Sequence, residues 1–108
     1  MAGGDGEGTN PEQLFAAGYA ACFHSALRLV GRQQKADLTD SAVAAKIHFG
    51  ALEDSAGYGL AAELEIPLPA VDRETAASLV AKAHQICPYS NATRGNITVD
   101  ITILEVAA

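Results

Sequence analysis

The chain is 108 residues long, carries a formal net charge of −6 and is 49% hydrophobic. That length makes one domain the expectation, with enough apolar material for a core but a limited share of surface to bury. The acidic balance and the lack of any Lys or Arg cluster argue against nucleic acid or an anionic membrane as partner.

In chain order, Met1 to Gly8 is a glycine-rich stretch with no regular element, and it reads as the middle of a loop rather than the start of a domain. Thr9-Asn10-Pro11-Glu12 is a helix start. Thr9 or Asn10 can cap, Pro11 suits the first turn, and Thr9 with Glu12 fits a capping box. The helix is expected from Pro11 to about Arg32. Its middle, Leu14 to Leu27, has no polar stripe, so burial on most sides is expected. Ala16, Ala17, Gly18, Ala20 and Ala21 keep it thin enough for another element to approach closely. His24 and Ser25 interrupt the apolar run, so no membrane span is expected. No basic segment followed by an apolar one opens the chain, which predicts a cytoplasmic protein whose disulfides are transient.

From Ser41 the period changes to two. Val43, Ala45, Ile47 and Phe49 alternate with Ala44, Lys46 and His48. After a loop from Gly50 to Gly59, Leu60, Ala62, Leu64, Ile66 and Leu68 alternate with Ala61, Glu63 and Glu65, which predicts a hairpin with the acidic residues outside. Pro69 ends the second strand. Asp72 caps a second helix with Ala76, Leu79, Val80, Ala83 and Ile86 on its apolar face. That helix should stop at Cys87, because the residue before a proline is pushed out of the helical region. Gly95-Asn96 leads into a strand over Ile97–Ile103. The class is α+β, ordered αββαβ, in one domain over residues 1–108. Three strands are few beside two helices, so further strands are expected upstream or from a second chain.

Three residue sets could carry chemistry. Cys22 and Cys87 are the only thiols. Each has a bland reading, as a small buried hydrophobe and as a helix-end residue, but together they allow attack by one thiolate and resolution by the other. Cys22 with His24, and His84 with Cys87, also supply the ligand set of a structural zinc. Residues 22 and 24 of a helix point about 200° apart, however, so they cannot share an ion unless the helix breaks, and no metal is assigned. Glu12 is accounted for as a capping carboxylate. Asn91 and Asn96 head glycosylation-type triplets that are read as chance.

The run Gly8-Thr9-Asn10-Pro11-Glu12-Gln13-Leu14-Phe15-Ala16-Ala17-Gly18-Tyr19-Ala20-Ala21-Cys22-Phe23 closely resembles the signature of the organic hydroperoxide resistance proteins, within the OsmC-like superfamily. His84-Gln85-Ile86-Cys87-Pro88-Tyr89-Ser90-Asn91-Ala92-Thr93-Arg94-Gly95-Asn96 resembles that family's second-cysteine motif. The likeness runs from Gly8 to the end of the chain. It implies a thiol peroxidase in defence against oxidative stress, folded as an intertwined homodimer with an antiparallel sheet over a long buried central helix.

By this resemblance Cys22 is the peroxidatic cysteine, Cys87 resolves its sulfenic acid as a disulfide, and a dihydrolipoyl group on a protein, or another dithiol, reduces it. No bound cofactor is implied. Glu12 matches the glutamate that orients an active-site arginine. Ten positions separate Glu12 from Cys22, about 15 Å along one helix, so Glu12 would serve the cysteine of a partner chain. Phe15, Tyr19 and Phe23 would line an apolar pocket for an organic hydroperoxide. Family members carry that arginine ahead of the glycine-rich loop, and no residue here matches it. Arg94 is the nearest cation by motif. The alternatives are a catalytically impaired, truncated dimer without the arginine, and a Cys/His metal-binding module.

Overall fold

The first helix, α1 (Pro11–Gln34), begins where local chemistry dictates. Extended Asn10 accepts the Gln13 backbone N–H at 2.8 Å, and the Gln13 side chain accepts the Asn10 N–H at 3.2 Å. This reciprocal pair satisfies two otherwise orphaned donors. It replaces the expected Thr9/Glu12 box one residue later in the chain. In the computed structural model, residues 10–53 and 56–104 are described. Thr9 and the glycine-rich start therefore lie outside the described residues. Lys35, in the left-handed region at φ 56°, closes the helix.

Two strands follow, β1 (Ala44–Ala51) and β2 (Tyr58–Pro67), paired antiparallel with Ile47 opposite Ala62 and Phe49 opposite Leu60. The hairpin is the one expected from the alternation, and its strands reach further into the loop. Helix α2 (Arg73–Ile86) is capped by Asp72, whose carboxylate accepts the Thr75 N–H. A short helix, α3 (Pro88–Thr93), starts at once after Cys87, and β3 (Val99–Leu104) completes the sheet.

The sheet order is β1-β2-β3, with β3 parallel to β2 and Leu64 opposite Ile101. The sheet is therefore mixed, which corrects the antiparallel expectation. The physical reason is the connection: α2 and α3 form a crossover that returns the chain to the sheet in the β2 direction, as a parallel pair requires. One sheet face carries Ala62, Leu64 and Ile66, all buried, with Ile47, Ile101 and Ile103 packed beside them. The other carries Lys46, Glu63, Glu65 and Asp100, with Lys46 paired to Glu65 at 3.3 Å.

Helix α1 buries Tyr19, Phe23, Ala26, Leu27, Val30 and Gly31, spaced as one stripe at the helical period. The opposite side stays open, with Leu14 61% exposed and Leu29 41%. Burial on most sides is thus not achieved within one chain. By length and composition α1 could cross a membrane, contrary to the expectation that its polar interruptions prevent this. Its buried stripe against the sheet and α2 instead makes it a core helix.

Candidate active site

The two cysteines meet although 65 positions separate them. The Cys87 thiol donates to the Cys22 sulfur at 3.6 Å, and both are free. Backbone rules place Cys87 there. As the residue before Pro88 it takes φ −67°, ψ 122°, leaving α2 after its N–H donates to the Ala83 carbonyl and standing at the N-cap of α3. Its side chain makes no capping bond, so the sulfur turns to α1. Cys87 has no exposed surface, whereas Cys22 is partly exposed. Cys22 is thus the thiol a solute can reach.

Burial is the main influence on Cys22, raising its pKa; the adjoining Cys87 thiol adds to this, and the Tyr89 backbone N–H opposes it by donating to the sulfur. No cationic side chain among the described residues contributes to its ionisation. Arg94 is engaged elsewhere: its Nη2 donates to the His84 carbonyl at 2.7 Å, and its Nη1 to the Asn91 side chain.

Around the thiols stands an aromatic wall. Phe15 stacks on Tyr89 with ring centroids 5.9 Å apart, and Tyr19 tilts against both. Gly18 permits this, since a Cβ there would lie 2.8 Å from the Tyr89 hydroxyl. Here the thinness of α1 has its specific use. Of the three residues expected to line a pocket, Phe15 is partly open, while Tyr19 and Phe23 have no exposed surface and back the wall from the core.

Behind the thiols lies a chain of polar atoms whose roles the sequence did not reveal. Tyr19 Oη and Ser90 Oγ are 2.8 Å apart, and Ser90 Oγ lies 2.7 Å from His84 Nδ1. The ring of His84 also tilts against Phe23. Burial lowers the His84 pKa and the Arg94 charge lowers it further, so the neutral ring is favoured. A neutral ring either accepts from the Ser90 hydroxyl or donates to it, according to which nitrogen carries the proton, and the Tyr19–Ser90 hydrogen bond can run in either direction to match. The only local signal for this was Pro88, which can open a helix as readily as it ends one.

The remaining candidates are not brought to the thiols. Glu12 sits ten positions before Cys22 on the same helix, about 15 Å away along its axis. It borders a different hollow of about 220 Å³, with Pro11, Phe49, Tyr58, Gly59 and Leu60. His24 bonds Ser41 at 3.0 Å. Among the described residues, no group of three or more His, Cys, Asp or Glu side chains is arranged to hold a metal ion.

The chain is similar to known proteins in sequence and in fold. The sequence profile of OsmC-like proteins matches residues 4–102. An organic hydroperoxide resistance protein of Xanthomonas axonopodis pv. citri is 50% identical over 103 residues, covering 95% of this chain and 72% of the relative. OhrB of Bacillus subtilis, also an organic hydroperoxide resistance protein, is 45% identical over 96 residues, covering 89% of this chain and 70% of its own. The crystal structure of an organic hydroperoxide resistance protein from Elizabethkingia anophelis superposes with a TM-score of 0.90 at 48% identity, covering 97% of this chain and 74% of that one. With half the aligned residues shared and the fold superposing over 97% of the chain, the chain belongs to the OsmC-like family, among the organic hydroperoxide resistance proteins.

Proposed function

We propose that the protein reduces organic hydroperoxides to alcohols through a Cys22–Cys87 thiol couple. The single observation that carries this reading is the 3.6 Å separation of the two sulfurs, one reachable and one buried. The Cys22 thiolate attacks the outer peroxide oxygen; the O–O bond breaks, the alkoxide leaves and takes a proton, and Cys22 becomes a sulfenic acid. Cys87 then attacks that sulfur, water leaves, and a disulfide forms. A dithiol, by family resemblance a dihydrolipoyl group carried on a protein, returns both thiols. Phe15 and Tyr89 present an apolar entrance suited to an alkyl chain, with Tyr19 and Phe23 behind.

The open apolar side of α1 supports a homodimer, in which, by family resemblance, Glu12 of one chain would face the Cys22 site of the other. A cytoplasmic location suits two free thiols. Hydroperoxide consumption with dihydrolipoamide tests the reading: wild type should turn over and Cys22→Ser should not, and equal rates would end it.

The upward push on Cys22 favours a second reading, a dimer impaired in catalysis for want of a cation at the sulfur. Alkylation against pH separates the two, since a thiol pKa at or above about 8.5 supports impairment.

A further inference from the structure

The thiol contact is one rung of a two-rung ladder. Cys22 faces Cys87, and one turn away on both segments Tyr19 faces Ser90, three residues before and three after. The second rung is continued into α2 by His84, so one hydroxyl ties α1, α3 and α2 together. Both Tyr19 and Ser90 are 0% exposed. A missing partner here would leave a buried polar group unsatisfied, which makes the register of the two segments stiff.

We propose that Tyr19 and Ser90 are positioning residues that hold the Cys87 sulfur against Cys22, so that the disulfide closes with little loss of conformational freedom. The proposal deepens the thiol-couple reading and rests on it. The physical reason is preorganisation. A Cys87 free to drift with α3 would have to be ordered each time the bond forms, whereas one held at 3.6 Å is already near its partner. Neutral His84 completes the bridge. Arg94 on α3's end is the charged group that bears on His84, through its guanidinium.

The test is the equilibrium of the reduced protein with glutathione disulfide, in which two protein thiols become one disulfide and two glutathione thiols are released. It reads the effective concentration of one protein thiol at the other and needs no peroxide. In Ser90→Ala, and in Tyr19→Phe, which removes only an oxygen, this value should fall by about tenfold, the weight of one buried hydrogen bond. Ser41→Ala, which removes a part-buried contact to His24, about 200° around α1 from Cys22 and so off the Cys87 seam, should leave it unchanged.

A folded Ser90→Ala or Tyr19→Phe protein with the wild-type value overturns the proposal, as does an equal fall in Ser41→Ala. Should Ser90→Ala not fold, Tyr19→Phe decides. Failure of the thiol-couple reading shows separately, as hydroperoxide consumption that Cys22→Ser leaves unchanged.

Discussion

Two regions of the molecule handle their side chains in opposite ways. At the seam between α1 and the α2–α3 corner, thiols, a phenol, a hydroxyl and an imidazole are drawn together, and the interacting atoms lie within 3.6 Å of one another. At the hairpin end, Phe49 and Tyr58 stack with centroids 4.9 Å apart yet are 37% and 64% exposed. Across the outer sheet face Lys46 and His48 reach diagonally to Glu65 and Glu63 in solvent. The buried Tyr19–Ser90 contact fixes a geometry because water has no access to replace it, whereas contacts on the sheet face compete with water and hold little.

The comparison breaks first on chemistry. Cys22→Ser should lower dithiol-dependent hydroperoxide consumption by at least about a hundredfold, while Cys87→Ser should still consume peroxide in a first turnover and accumulate a sulfenic acid trappable by a dione probe. Comparable loss of first-turnover reactivity in both variants would remove the division of roles.

Stability comes next. Phe23→Ala, in the seam's core, should cost about 3–5 kcal/mol in urea unfolding, whereas Phe49→Ala on the hairpin should cost under about 1 kcal/mol. Similar values for the two would mean that the hairpin end is covered in solution. Smaller again are the helix starts: Asn10→Ala and Asp72→Ala should each cost about 1 kcal/mol, measured the same way.

Acidification sharpens the contrast by sign. His24 and His84 both have lowered pKa values, chiefly through burial, so below the ordinary value near 6.5 the unfolded chain binds more protons than the folded one. Their stabilising effect is fully present above that value. It should diminish as pH falls through it, levelling once the folded values are passed. Urea midpoints at pH 7.5 and 5.5 would show this, and His84→Gln should flatten the slope. The smallest effect is expected at Lys46→Ala, within about 1 kcal/mol and smaller still at high salt.

Much of the frame was readable in advance. The start at Asn10 and Pro11, the hairpin alternation around Ile47 and Leu64, the Asp72 cap and the departure of Cys87 from helical geometry all follow from bonds or steric clashes within a few residues. Helix α3 does not show in the local pattern, because the proline that ends α2 at Cys87 also has a fixed φ that suits a first helical turn. The parallel seating of β3 does not show either, since alternation shows a strand but not the direction of its neighbour. The cysteines are legible as a pair through their motifs, whereas nothing local links Ser90 or His84 to Tyr19.

Local sequence, then, settles where each element starts, stops and turns its apolar side, because dihedral preferences and nearest donors act over one or two turns. Contacts between distant positions are a different matter. That Tyr19 meets Ser90, 71 positions on, and that the aromatic wall closes over Gly18, depend on how α1 and the crossover pack. The helix seam imposes that geometry, since close packing and the need to satisfy every buried polar atom leave few ways to seat two helical segments against each other.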